Sequence, residues 1–376
     1  MTKLLAISTA LSLVLGLSDV SVAATDGQDS QEPNYTAMVN SGIEFLASQQ
    51  ADDGSWAAEV GPAVTALATT ALLRNGRTPR DPVVANGLKF LEQHIQPDGG
   101  IYKRGSRLQN YETCAALMCF IEANAGGKYS EAIAGATKFT RGLQIGLEDA
   151  DQSKFGYGGA GYGPGSRADL SNTHFFVEAL QASGAGADDE AIRRALVFVS
   201  RCQNLESEHN TTPFGAKIND GGFYYTADAG GSSAVDAIQG ERDPNGGLRS
   251  YASMTYAGLK SMIFAGLDQD DQRVKAAMAW IRNHYSLEEN PGLGPAGLYY
   301  YYQVFAKTLA TMKVKTIESA DGQQHDWRRD LIAELASRQQ KNGAWVNEKS
   351  ERWMEGNPTL VTCYALLALA DCRPTD

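Results

Sequence analysis

The 376-residue sequence has little cysteine, no basic cluster, and no apolar run after residues 4–17 long enough to cross a bilayer. Each shortage removes a class of protein. Cys114, Cys119, Cys202, Cys363 and Cys372 are odd in number and lack paired spacing, so they do not form a disulfide framework. They read instead as small residues in apolar helical runs. The net charge of −11 is spread over the whole chain, which argues against a nucleic-acid partner and against a purely electrostatic anionic membrane partner. His94, His174, His209, His284 and His325 show no metal-ligand spacing, and Gly-x-Ser-x-Gly is absent. The glycine-rich stretch Gly156 to Gly165 lacks the lysine and helix of a phosphate loop. No metal and no cofactor are expected.

What is present begins with a leader. Lys3, the apolar run Leu4 to Leu17 and the small residues Ser21-Val22-Ala23 read as a signal peptide, residues 1–23, cleaved near Ala23. The mature chain, 24–376, is then expected to be one exported domain, periplasmic or extracellular, with no transmembrane segment after cleavage.

An internal repeat organises the rest. Gly42-Ile43-Glu44-Phe45-Leu46 leads to Gln50, Gly54 and Trp56. Gly87-Leu88-Lys89-Phe90-Leu91 leads to Gln96, Gly99, Gly100 and Tyr102. Lys138-Phe139 with Gln144 precedes Phe155 to Gly159, and Phe198-Val199 with Gln203 precedes Gly221-Gly222-Phe223-Tyr224. Trp280-Ile281 has no glutamine in register before Gly292, Gly294, Gly297 and Tyr299. The sixth copy reads Leu335, Gln340, Gly343 and Trp345. Every copy is an amphipathic stretch, a Gly-aromatic turn and a second, more apolar stretch. The second stretches, roughly 62–75, 110–125, 169–183, 250–265, 297–312 and 358–370, are the inner helices, and the more charged first stretches are the outer ones. Six such hairpins with no atypical capping copy predict an all-α (α/α)6 toroid rather than an open solenoid.

The pattern aromatic-Leu, Gln, Gly and Trp, complete from Phe45 to Trp56, resembles the QW motif of squalene and oxidosqualene cyclases. The Gly-Gly-aromatic turns resemble those of protein prenyltransferase β-subunits, and the whole mature chain is similar to exported prenyltransferase and squalene oxidase repeat proteins. The resemblance implies the toroid and an apolar, isoprenoid-like ligand in its centre. It does not carry over the family's chemistry by residue. The zinc site of the prenyltransferases needs Asp-x-Cys, which is absent. Asp268-Gln269-Asp270-Asp271 matches the acid motif of squalene–hopene cyclases, but its register places it in the loop opening an outer helix, where carboxylates cap.

Candidate chemistry therefore collects where the inner helices begin. Glu112 and Asp169 are the weak catalytic candidates, and Tyr111, Asn172, Arg249, Tyr251, Tyr300 and Tyr301 are the candidate ligand contacts. Tyr299 to Tyr302 cannot share one helix face, so some point inward and others pack between helices. The insertions 145–168 and 204–249 offer a second reading, a non-catalytic scaffold that binds a protein or glycan. A third, a carbohydrate-active enzyme, needs paired carboxylates at the mouth, for which only Glu112 and Asp169 qualify.

Overall fold

The glutamines of the repeat show how the sequence makes a ring. The computed structural model describes residues 34–147, 151–240 and 243–373, so the leader reading for 1–23 lies outside the described residues. The outer helices are α1 (Tyr35–Ser48), α3 (Pro82–Glu92), α5 (Ser130–Gly142), α7 (Glu190–Arg201), α11 (Gln272–Asn283) and α13 (Trp327–Arg338). The inner helices are α2 (Ala63–Arg74), α4 (Gln109–Ala123), α6 (Leu170–Ala182), α10 (Ala252–Phe264), α12 (Leu298–Thr311) and α14 (Pro358–Cys372). Two short helices, α8 (Gly215–Ile218) and α9 (Ala234–Gln239), occupy the long fourth turn. A small hairpin, β1 (Ile317–Glu318) with β2 (Gln324–His325), precedes α13.

Burial separates the two sets. In α7 only the stripe Ala191, Ile192, Ala195, Phe198, Val199 and its C-terminal end is buried, as one apolar face of a surface helix requires. In α2 every residue from Ala63 to Leu72 is buried. The inner helices pack in chain order and α14 returns to α2, so the ring closes. Among the described residues no helix is long and apolar enough to cross a membrane.

Four glutamines tie their own turn to the next outer helix, whereas Gln96 bonds only within its own turn, to His94 O and Tyr102 O. Gln50 Nε2 donates to Gly54 O at 3.0 Å and to Val83 O at 2.9 Å. Gln144 bridges Gly158 O and Ala191 O, and Gln203 bridges Gly221 O and Arg273 O. In the sixth copy the residue that does this is Gln339, not Gln340. Gln339 Nε2 reaches Gly343 O at 3.0 Å and Met38 O at 2.9 Å, joining the last hairpin to the first. Gln340 stays outside, 3.4 Å from Glu348. The four-residue spacing of Gln50 and Gly54 repeats only from Gln339 to Gly343, because the carboxamide must span one tight turn. Trp56 and Trp345 close their turns identically, each indole donating to a helix carbonyl, Leu46 O and Leu335 O. Gly54 has φ +89°, and a Cβ there would lie 2.4 Å from Asn86 O, so both conformation and contact require glycine.

The acidic loops cap, as their register suggests. Asp189, Asp271 and Asp326 each accept from the first backbone N–H groups of α7, α11 and α13. Asp268 Oδ1 accepts from Asp270 N and Asp271 N. All five cysteines are buried and free.

Candidate functional site along the ring axis

Helix register and measured contacts together resolve the interior into three levels. Residues spaced three or four apart share a helix face. The axis-facing stripes are Leu67 and Arg74 on α2, Tyr111, Met118 and Glu122 on α4, and Ser171, His174 and Glu178 on α6. On α12 and α14 they are Tyr300, Gln303 and Lys307, then Tyr364, Leu367 and Asp371.

The upper level, at the inner-helix N-termini, is aromatic. Tyr300 Oη lies 2.6 Å from His174 Nε2 and 3.2 Å from Ser171 Oγ. Tyr111 Oη lies 3.4 Å from Tyr364 Oη, and its ring meets Phe175 edge-on at 5.1 Å. Asp169, the N-cap of α6, is buried within this level. Its Oδ1 accepts from Asn172 N at 2.8 Å and its Oδ2 from Asn172 Nδ2 at 2.9 Å. Burial pushes its carboxyl up to about 6, although the bonds from Asn172 and the Tyr225 hydroxyl pull the other way. Tyr162, Tyr225, Tyr251 and Tyr300 all lie close enough for the Asp169 charge to raise them further, after burial.

The lower level, at the inner-helix C-termini, is ionic. All six inner helices supply one charge each: Arg74, Glu122, Glu178, Lys260, Lys307 and Asp371. Arg74 Nε lies 2.7 Å from Glu122 and Lys307 lies 3.9 Å from Asp371, while Lys260 pairs directly with Glu178. Burial opposes the ionised form of Glu178, but Lys260, Lys307 and Arg74 outweigh it and hold the carboxyl well below the usual range.

Between them the side chains are packed closely: Leu67 keeps 6%, Met118 8%, Gln303 6% and Tyr364 7% of their surface accessible, and His174 keeps none. Burial and the Lys260 charge keep His174 neutral, its pKa well below the usual histidine range.

Five of the expected site residues come together here: Tyr111, Asp169, Asn172, Tyr251 and Tyr300. Three do not. Glu112 turns to the 103–106 loop, accepting from Lys103 N at 2.9 Å and Ser106 Oγ at 2.6 Å, so it forms no carboxylate pair with Asp169. Arg249 reaches back to Gln239 at 2.7 Å and Asp236 at 3.8 Å in the fourth turn. Tyr301 points between helices, donating to Ser286 O at 2.8 Å. The sequence reading missed His174, Phe175, Glu178, Tyr225, Lys260, Gln303 and Tyr364. For most of these the signal was there, as lone polar residues inside apolar inner helices. A second acid also went unread. Glu355 caps α12 through Tyr299 N and Tyr300 N, both at 2.9 Å, and burial pushes it up to about 6.

No family model matches the chain, and no curated protein does. Solved structures do. One substituted form of the type II terpene cyclase MstE from Scytonema, in complex with its substrate geranylgeranyl dihydroxybenzoate, superposes with a TM-score of 0.53. The alignment has 15% identity and covers 90% of this chain and 97% of that one. A second substituted form with the same substrate gives 0.52 at 14% identity over the same spans. The apo enzyme gives 0.50 at 13% identity, over 89% of this chain and 97% of that one. The protein thus has a terpenoid cyclase-like all-α toroid fold.

Proposed function

We propose that the ring binds an isoprenoid-like apolar ligand along its axis, and that Asp169 is the acid that starts cyclisation of that ligand. The observation that carries this is the buried Asp169 carboxyl, pushed up to about 6 and set among tyrosines at the start of the inner helices. A carboxyl kept protonated by burial can give its proton to an alkene carbon. The resulting carbocation is attracted to the faces of Tyr111, Tyr300 and Tyr364. Ring closure moves the positive charge along the chain. Loss of a proton from the carbon beside it restores an alkene, and that proton returns to the Asp169 carboxylate. The fold supports this reading, since the similar MstE is crystallised with a geranylgeranyl substrate.

The test is turnover of geranylgeranyl-bearing probes followed by mass spectrometry at about pH 5 and about pH 8. Cyclised product is expected from the native protein, more at the lower pH. Asp169→Asn should bind the probe without converting it. Absence of both product and thermal shift across the probes sinks the reading.

A non-catalytic extracytoplasmic scaffold is the second reading. It is favoured by the engagement of both Asp169 oxygens with Asn172, as in an ordinary cap. On that reading the loops 145–168 and 204–249 bind a protein or glycan, and Asp169→Asn changes no binding at all. Export rests on the leader, and N-terminal sequencing of mature protein beginning at Ala24 tests it.

A further inference from the structure

We infer that the mouth face of the ring docks on a phospholipid surface, with Leu108, Tyr162, Trp353 and Met354 entering the headgroup region and Arg104, Arg107 and Arg352 contacting lipid phosphates. The inference stands apart from the axial-ligand reading, since it concerns only the turns around the mouth.

Every large apolar side chain exposed among the described residues lies in a turn leading from an outer helix to an inner one. None stands on an outer helix or in the loops at the floor end. Inner helices meet start to start at Ser171–Tyr300 and Tyr111–Tyr364, and end to end at Arg74–Glu122 and Lys260–Glu178, so their turns share one face. Exposed apolar residues scattered singly need no account, but their confinement to one face does.

The backbone holds the most exposed of them outward. Trp353 and Met354 have φ of +55° and +65°, a region that L side chains rarely adopt. The segment is pinned on both sides. Met354 O accepts from Asn357 N at 2.9 Å, Asn347 N donates to Glu355 O at 3.0 Å, and the Glu355 carboxylate caps α12. Strain of this kind persists only where the surroundings fix it. Its product is a tryptophan 48% exposed, with the Arg352 guanidinium 5.1 Å from its ring. In the second and third turns Leu108 and Tyr162 come together, because Asn110 N donates to Tyr162 O at 2.8 Å and Gly163 packs against Arg107 O.

Charge names the occupant. The four turns that expose a large apolar residue all carry Lys or Arg, whereas the first and fifth turns, 49–62 and 284–297, have neither feature. Arg104, Arg107 and Arg352 are exposed, and no carboxylate pairs with them among the described residues, unlike the three cations of the floor. Apolar tips beside uncommitted arginines suit a layer of phosphates over hydrocarbon. Tryptophan and tyrosine belong at that boundary, since each joins an apolar ring to a polar tip. A second copy docked face to face suits it less, because the exposed acids Asp52, Asp53, Glu288 and Glu289 would share the contact.

Vesicle sedimentation tests this, with phosphatidylcholine alone and with added phosphatidylglycerol. The protein should bind both, and the second on the order of tenfold tighter. Trp353→Ser with Met354→Ser should weaken binding to both by at least about tenfold, as loss of two inserted side chains implies. Arg104→Gln with Arg107→Gln should erase the advantage of phosphatidylglycerol and leave most of the phosphatidylcholine binding. The other four tryptophans are buried, so quenching of fluorescence by brominated lipid reports on Trp353. That quenching is expected when the native protein binds. No sedimentation with either vesicle overturns the inference, as does binding that leaves Trp353 unquenched or survives both double variants. A dimer in lipid-free solution that the Trp353→Ser, Met354→Ser variant abolishes also overturns it, since the face then belongs to a second copy.

Discussion

Helix α6 buries two carboxyl groups, one at each end of the ring, and they behave in opposite ways. Asp169 at the mouth accepts bonds only from neutral groups, so burial dominates and its pKa rises to about 6. Glu178 near the floor is as deeply enclosed, but Lys260 pairs with it and Lys307 and Arg74 add to the pull, so it stays ionised. The same low-polarity interior thus raises the pKa of one acid and leaves the other ionised. What differs is where the cations stand. The mouth carboxyl has no cation bonded to it, and the floor pairs each of its charges with another from a neighbouring helix.

The largest expected effect comes from breaking the floor. Glu178→Ala leaves Lys260 charged and buried, and should cost about 3–5 kcal/mol in urea denaturation. The double variant Glu178→Leu with Lys260→Met removes both charges, and should recover most of that loss. A single-variant cost below about 1 kcal/mol means that the floor is wet, and the contrast with the mouth collapses.

Acid titration sharpens the contrast at intermediate size. Asp169 has a raised folded pKa, so its contribution is fully present below the unfolded value, near pH 3.8, and is lost as pH rises through about 6. Glu178 has a depressed one, so its contribution is present above the unfolded value near 4.5 and is lost as pH falls through its lower folded pKa. Glu355, also raised to about 6, adds to the Asp169 window. From about pH 4 to about pH 7 the mouth should lose on the order of 3 kcal/mol from Asp169 and on the order of 2 kcal/mol from Glu355, at about 1.4 kcal/mol per pK unit. Asp169→Asn and Glu355→Gln should each flatten part of that slope, measured as urea midpoints across pH. Unchanged slopes in both variants mean that these acids titrate normally.

The ring was legible in the sequence because its determinants are local and repeat. A glutamine, a glycine and an aromatic recur in the same order, at the spacing of one tight turn in the first and sixth copies and across insertions in the third and fourth. The site was only half legible, for a different reason. Tyr111, Asp169, Asn172, Tyr251 and Tyr300 could be placed by register alone, since each starts an inner helix. Glu112 starts one too, but a loop captured it through Ser106. Which way a side chain turns at a helix start depends on loop contacts that no periodicity encodes. Glu178 and Lys260 were visible as polar residues in apolar helices, yet each finds its partner on another hairpin, so pairing required the closed ring.

The smallest effect concerns how the two ends are held. The floor is tied on the axis by ions, whereas the turns that lead to the mouth are tied at the periphery by glutamine amides. The seam between first and last hairpins tests this, because Gln339 is its repeat amide, beside bonds from Tyr35 Oη to Leu369 O and from Asn75 Nδ2 to Leu366 O. Gln339→Ala leaves Met38 O and Gly343 O without this donor, and should cost about 1–2 kcal/mol. Gln340→Ala, one position on, touches only Glu348 at 3.4 Å and should stay within about 0.5 kcal/mol. Because the Gln339 bonds involve no titrating group, its cost should be the same at about pH 5 and about pH 8, unlike that of either α6 carboxyl. Denaturation of the two alanine variants at both values measures this. Equal costs for Gln339 and Gln340 would mean that ring closure rests on the packing of α14 against α1 and α2 and on the Tyr35 and Asn75 bonds, with Gln339 adding nothing of its own.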